Sequence, residues 1–414
     1  MKKFQPPRGT RDFLPEEMEK RRHVFEKIRQ VFESYGFGEV ETPAFEELSL
    51  LTCKGSLGQE AVKDIYQFRD KAGRELGLRF DITTPVARIA VSAKNMPKPI
   101  KFYYITRMWR YDDVSKGRWR EFWQAGIELI GSASPQADAE ILRVFIDSLI
   151  ALGLKDFTVR INSRKILDSF ADRLKIKNRE EIFRIIDKLD KKGRNEVFAE
   201  LKKRLKEEKA KQVLDFILSP IEEARKISDV SELDAIMSAL DEKYRRYVKP
   251  DMSIARGLEY YTGFVFETVI NGFEGLGSVV GGGRYDSLIE RYGGQTTPAT
   301  GFSIGLERLI EILEKKNLIQ LRRQPSVYIA PVNEKFISNA VKISEKLQSY
   351  GIKCEYDIMS RSLTKQLDYV NARKIDYVIV VGEKEISSGV YRLRNMKTGE
   401  EKEISDLSSL KALV

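Results

Sequence analysis

The chain is 414 residues long, room for two or three domains of ordinary size and a substantial core. Hydrophobic residues make up 42% and charged residues 32%, the balance of a soluble globular protein; no stretch approaches the ~20 consecutive apolar residues of a membrane span, and the N-terminus lacks the apolar core of a signal peptide, so a cytoplasmic location is expected. The net charge of +10 suits a polyanionic partner such as nucleic acid, whereas two distant cysteines, Cys53 and Cys354, and one histidine, His23, cannot furnish a four-ligand zinc site, so no metal site is expected in the chain itself.

Apolar positions Val24, Phe25, Ile28, Val31 and Phe32 recur at helical spacing and stop at Gly36, which predicts a helix over 16–35. The following GFGEVETPAFEEL reads as a strand containing Pro43. Proline cannot donate to a ladder, which leaves an edge strand, a bulge or a subunit interface. From Ile65 to Arg88 strand-like runs lead into a helix with Pro85 in its first turn. Strand alternation over 78–83 puts Phe80 and Ile82 on one face and Arg79, Asp81 and Thr83 on the other; Asp81 and Thr83 form a polar pair suited to a ligand, and a helix N-cap role for Thr83 or Thr84 is the alternative, compatible with it.

Two β-rich runs, 102–111 and 119–129, flank a polar loop and predict an antiparallel hairpin. Arg120, Phe122, Gln124, Gly126 and Glu128 share one of its faces, while Trp123, Ala125, Ile127 and Leu129 share the core face. Gly126 removes a side chain between Gln124 and Glu128, leaving a hole in a polar floor. With Arg110 nearby, that face suits a small, polar, partly anionic ligand; the alternative is an exposed hairpin with a wet face.

A helix over 135–152 and a strand over 157–162 come next, then a glycine-poor stretch to about Tyr247 that reads as a helical insertion. Its charge runs, such as LKKRLKEEKAKQ, are either a solvated face or a nucleic-acid contact. Strands return near Ser253, with Phe264, Phe266 and Thr268 facing opposite to Val265, Glu267 and Val269. Gly281, Gly282 and Gly283 permit close approach of backbone to a ligand or to another strand. Neither a complete dinucleotide fingerprint nor GxxxxGK[ST] is present. TPATGFSIGLERL runs strand into helix, and Arg308 falls in the first turns, where the helix dipole disfavours a cation unless it faces an anion. Residues 325–414 alternate strand and helix as a small α/β domain, with Arg361, Lys365, Arg373 and Lys374 available to phosphate.

These segments together resemble the class II aminoacyl-tRNA synthetases, and among them the histidyl-tRNA synthetases, over essentially the whole chain. PPRGTRDFLPEE looks like the family's N-terminal signature. ETPAFE resembles motif 1, MWRYDD with GRWREFWQ motif 2, and TGFSIGLERL motif 3; ARGLEYYTG and GGGRYD are similar to the two histidine-specific signatures. The resemblance implies an α+β fold: a class II antiparallel sheet core with flanking helices (1–163 and 248–320), a helical insertion domain (164–247) and a C-terminal α/β anticodon-binding domain (325–414). It implies an enzyme that activates L-histidine with ATP and Mg²⁺ to the adenylate and transfers it to the 3′ end of tRNA(His), working as a homodimer. Residue by residue, it makes Arg256 and Arg110 catalytic and gives Asp81, Thr83, Gln124, Glu128, Tyr260, Tyr261 and Tyr285 to histidine. Arg110, Asp112, Phe122 and Arg308 go to ATP. Asp81 and Asp112 look like the archaeal and eukaryotic branch, and whether Lys116 or Arg118 meets the tRNA end stays open. The other reading is a non-catalytic, histidine-sensing regulatory paralogue of a histidine-biosynthesis enzyme. Such relatives typically lack the C-terminal domain and degrade the RGLEYYTG and motif 3 residues, all of which this chain keeps.

Overall fold

Alternation in the strands decides the architecture, since one face of a long sheet is apolar and the other is not. The computed structural model describes residues 4–53, 62–93, 95–115, 117–256, 260–321 and 326–412. Lys116, Gly257, Leu258, Glu259 and Pro325, part of the motifs above, lie outside them. The chain divides into two units, Met1–Gln320 and Leu321–Val414.

The first unit begins with α1 (Pro15–Ser34), β1 (Gly38–Glu39), β2 (Phe45–Glu47), β3 (Gln67–Arg69) and β4 (Glu75–Leu78). Then come α2 (Thr83–Ser92), β5 (Ile100–Trp109), β6 (Glu121–Ile130), α3 (Pro135–Ala151) and β7 (Phe157–Ser163). After the insertion follow β8 (Val248–Pro250), β9 (Phe264–Ile270), β10 (Val280–Arg284), β11 (Ala299–Gly305) and α4 (Leu306–Lys315). The main sheet has eight strands in the order β1-β5-β6-β11-β10-β9-β7-β8. Its inner pairings are all antiparallel, and only the edge strands β1 and β8 pair parallel. Phe32, Ile127, Phe145, Phe266, Phe302 and Leu309 belong to one buried cluster on the face covered by α1, α3 and α4. The opposite face carries a smaller cluster with Tyr104, Tyr260, Tyr261 and Tyr285, and the polar groups lie there.

Pro43 marks a change of sheet. β1 pairs with β5, whereas β2, after the proline, belongs to a separate three-stranded sheet, β2-β4-β3. The strand expected over 78–83 ends at Leu78. Arg79 lies at the break: it is 2% exposed, its backbone still pairs with Ala44 and Trp109, and its guanidinium donates to the carbonyls of Thr42, Pro43 and Arg107 and to Thr106 Oγ1, tying the segments around it together. Neither threonine caps α2. Asp81 does so instead, its Oδ1 accepting from the Thr84 N–H at 3.2 Å.

Among the described residues the insertion is helical, from Arg164–Arg173 through Glu242–Arg245. Its buried Ile182, Ile186, Val197, Leu201, Val213 and Leu214 extend the main core, so it is packed onto the sheet unit.

The second unit is a five-stranded sheet in the order β13 (Cys354–Tyr356), β12 (Val327–Pro331), β14 (Tyr377–Val381), β15 (Tyr391–Asn395) and β16 (Glu401–Ile404). The first three strands run parallel, as the α/β reading requires. β15 and β16 extend the sheet as an antiparallel hairpin that the sequence reading left out. Only Leu393 and Ile404 of that hairpin are buried, so it carries little apolar alternation to read. Arg361 is tied to Asp357 at 2.7 Å and Arg373 lies 3.6 Å from Glu355. No described helix is long and apolar enough to cross a membrane.

Candidate active site

Two cross-strand rows form the floor of the site. In one, Tyr104, Gly126, Ser303, Gly281, Glu267 and Arg160 stand side by side on β5, β6, β11, β10, β9 and β7. In the next, Phe102, Glu128, Gly301, Gly283 and Val265 do the same. Each glycine is an empty seat occupied by a neighbour. A Cβ on Gly126 would lie 2.5 Å from Tyr104 Oη, one on Gly281 2.5 Å from Arg256 Nη1, and one on Gly283 3.0 Å from Tyr261 Cδ1, while one on Gly301 would overlap Glu128 Oε2. The hole expected at Gly126 is therefore filled by the Tyr104 phenol and the Phe302 carbonyl. At the glycine triplet it is side chains and neighbouring strands that come close.

The acidic half of the site is dry. Glu128 is 2% exposed, and its two oxygens accept separately: Oε1 from Thr83 Oγ1 at 2.7 Å, Oε2 from the Tyr285 hydroxyl. Burial pushes its carboxyl up to about 8, against the pull of those hydrogen bonds. Asp81, brought in by the irregular turn before α2, is also buried and pushed up to about 6 for the same reason. Its Oδ2 has no hydrogen-bond partner among the described residues. A buried carboxylate oxygen without a donor is an open acceptor, suited to an ammonium group. The Tyr260 and Tyr261 rings are 4.7 Å apart and tilted by 53°, and Tyr260 meets Tyr285 edge-on, so aromatic rings stand beside the Tyr285 hydroxyl that bonds Glu128.

The basic half is crowded with cations. Arg110 donates Nε–H to the Phe80 carbonyl at 2.9 Å and lies 5.3 Å over the Phe122 ring. Arg308 donates to the Ser278 carbonyl at 2.8 Å. Burial lowers both arginines below their ordinary value, and Arg118 lowers each further by repulsion. Three guanidiniums within one another's field, facing a groove, describe an anion site. Asp112 is paired with Arg118 at 3.0 Å, so in this structure it holds an arginine.

Arg256 stands between the two halves. Its backbone is left-handed, φ 53°, at a cost of about 1–2 kcal/mol for an L-residue. The guanidinium lies over Gly281, bonds Glu267 Oε1 at 2.6 Å, and sits 5.8 Å from the Tyr261 ring. Surrounding anions, despite burial, raise it above an ordinary arginine.

The structure thus brings together Asp81, Thr83, Glu128, Tyr260, Tyr261 and Tyr285 on one side, and Arg110, Asp112, Phe122 and Arg308 on the other. Arg256 lies at the join, and Gln124 is on the same face of β6, opposite Thr106 and Gly305. Glu267, Tyr104 and Arg118 were not assigned to the pocket from sequence. Glu267 was legible as a charged residue on the face opposite Phe264 and Phe266, but its link to Arg256 depends on which strand becomes its neighbour.

Outside the sheet, two further contacts hold the site's parts. The Gly9 carbonyl accepts from the Arg120 N–H at 2.8 Å, so the N-terminal segment runs against the start of β6. Glu307, in the first turn of α4, takes a bidentate pair from buried Arg21 of α1, at 2.9 and 2.8 Å, and accepts from the Trp123 N–H at 3.2 Å.

An antiparallel sheet that carries a closed acidic pocket beside an arginine-lined groove, with a strand running into a helix at its centre, is the architecture of the class II aminoacyl-tRNA synthetases. A histidyl-tRNA synthetase profile matches residues 9–309 and an anticodon binding domain profile residues 326–414. The chain belongs to the histidyl-tRNA synthetase family. A relative named histidine–tRNA ligase from Pyrococcus furiosus is 45% identical, over 96% of this chain and 95% of its own. One of the same name from Methanocaldococcus jannaschii is 41% identical, over 96% and 97%. The crystal structure of histidyl-tRNA synthetase from Nostoc sp. PCC 7120 superposes with a TM-score of 0.80 at 28% identity, covering both chains completely.

Proposed function

We propose that the protein is an ATP-dependent histidine–tRNA ligase, and that the buried Glu128 beside a three-arginine groove is the observation that carries this reading. Histidine is held at both ends. Its imidazole lies against Glu128, Tyr261 and Tyr285, with Thr83 and Tyr260 fixing those groups; its ammonium meets the open Oδ2 of Asp81, and Gln124 takes the remaining backbone polar group. Selectivity follows from dryness, because an amino acid without a ring N–H leaves Glu128 desolvated and under-bonded, which costs far more than a missing methylene. ATP enters with Mg²⁺ as part of the substrate. Arg110 and Arg308 meet its phosphates, and Phe122, which carries Arg110 on one face, offers the other to the adenine. Asp112 holds Arg118 at the same groove.

The histidine carboxylate is already ionised at neutral pH, so no general base is required. One carboxylate oxygen attacks the α-phosphorus, the bond to the β-phosphate oxygen breaks, and pyrophosphate leaves. The residues' task is alignment and neutralisation of charge at the α-phosphate, and Arg256 is the side chain set between the two substrate halves. In the second step the terminal ribose hydroxyl of tRNA(His) attacks the acyl carbon and AMP departs. The insertion and the second unit, matched by the anticodon-binding profile, supply surface for the tRNA.

The working form is a cytoplasmic homodimer. The exposed Phe45 and Phe68, edge to face at 5.9 Å on the small sheet beyond Pro43, are the apolar surface offered to a second copy. The decisive test is amino-acid-dependent exchange of pyrophosphate into ATP without tRNA, against a panel of amino acids. Exchange with histidine alone is expected. Histidine binding without exchange would move the weight to a regulatory role.

A further inference from the structure

Arg256 does not face its carboxylate partner alone. Glu267 lies between two guanidiniums: Arg256 Nη1 bonds Oε1 at 2.6 Å, and Arg160, directly across from it on β7, approaches Oε2 only to 3.8 Å. Arg160 is held off by other anions. Asp190, on the insertion helix Leu189–Lys202, takes both of its terminal nitrogens, Nη1 at 3.2 Å and Nη2 more closely, and Asp251 stands 3.6 Å away. Charges therefore alternate along one line from the insertion to the reacting centre: Asp190, Arg160, Glu267, Arg256.

We propose that Asp190 is a positioning residue for Arg256, acting by restraining Arg160, and that through this pair the helical insertion governs the adenylation step. The inference rests on Arg256 being the catalytic arginine of the reading above. Asp190 occupies Arg160 and so keeps it from competing for Glu267. Without that restraint the Arg160 guanidinium closes the gap to Oε2 and draws the carboxylate toward β7. Arg256 is then less well determined, because its backbone is left-handed, its Nε has no partner among the described residues, and Glu267 is the carboxylate it bonds directly among them, with Asp187 of the insertion adding attraction at longer range. Asp190 is half-exposed, with 54% of its side chain in solvent, while Arg160 is only 14% exposed, so the thermal midpoint is read alongside the rate to separate a stabilising role from a positioning one. A segment that meets tRNA could shift Asp190 and change the rate at a distance.

The test is histidine-dependent pyrophosphate exchange on the full chain, with kcat and KM measured for wild type, R256A, D190N, R160Q and the D190N/R160Q double variant. D190N is expected to lower kcat by roughly 3- to 30-fold, the range open to a residue coupled through neighbours, with KM for histidine and the thermal midpoint unchanged. In D190N/R160Q the competitor is gone and kcat returns toward wild type, a reversal that loss of a stabilising ion pair would not produce. D190N within about two-fold of wild type, or a double variant slower than D190N, would overturn the proposal. Failure of wild type to exchange, or full activity in R256A, would instead remove the parent reading. Should R160Q not fold, R160K gives an independent reading: it keeps the charge, loses the two-pronged contact with Asp190, and is expected to slow exchange as D190N does, and R160K at the wild-type rate would overturn the proposal.

Discussion

Glu128 accepts from Thr83 and Tyr285, yet burial dominates and leaves it with a strong hold on a proton. The folded chain keeps that proton over a range in which the unfolded chain has released it, from 4.5 to about 8. Stability from this group is therefore full below 4.5 and is lost as pH rises through about 8. Denaturant unfolding of the ligand-free protein between pH 5.5 and 8.5 is expected to show a decline that Glu128→Gln removes, at most about 1.4 kcal/mol per pH unit. In pyrophosphate exchange the same variant should lose histidine dependence by about 100-fold or more, while calorimetric ATP binding persists. Gly126 yields a stability prediction. A Cβ there meets the Tyr104 phenol and the Phe302 carbonyl, and the carbonyl is fixed in the ladder. Gly126→Ala is expected to destabilise by about 1–3 kcal/mol in urea titration.

At the scale of elements, α4 is oriented by one carboxylate. Glu307 receives Arg21 of α1 and the Trp123 N–H of β6, and the next residue is Arg308, which is bonded to the Ser278 carbonyl and proposed to meet phosphate. Glu307→Ala leaves Arg21, 0% exposed, without its partner, a loss of about 3–5 kcal/mol by thermal or chemical unfolding, accompanied by a raised KM for ATP. The elements themselves were largely legible. Helical spacing gave α1 and α3, strand alternation gave the hairpin of β5 and β6 with its faces correctly divided, and Pro43 announced a break. Two kinds of feature were not. The strand expected over 78–83 gives way after Leu78 to a turn that Asp81 caps, beside an Arg79 bonded to residues far away in sequence, and the hairpin of β15 and β16 has too few buried positions to leave a pattern. The residues that the motifs single out lie close together in the structure, whereas Glu267 and Tyr104 gain their contacts from cross-strand neighbours that only register supplies.

At the scale of the molecule, each unit has its own core. Val327, Ile329, Leu347, Ile379 and Leu410 pack within the second, and the largest cluster of the first runs from Val24 to Leu313. A fragment of residues 321–414 is expected to unfold cooperatively by circular dichroism. The complementary fragment 1–320 should retain histidine-dependent pyrophosphate exchange while its charging of tRNA(His) falls. Loss of exchange in that fragment would show that the second unit is needed for the chemistry itself.

Gly301 has an evolutionary consequence. The Glu128 carboxylate rests where its Cβ would be, and every alternative residue brings that carbon with it. No single substitution at this seat can reshape the floor by degrees, so mutational paths toward another substrate are blocked from below. Drift in amino-acid choice has to begin at the walls, with Thr83, Tyr261 or Tyr285, and each such step strips Glu128 or its aromatic enclosure of support before a new preference exists. On the proposed reading of Glu128, the choice of amino acid is thereby guarded by a residue that has no side chain of its own.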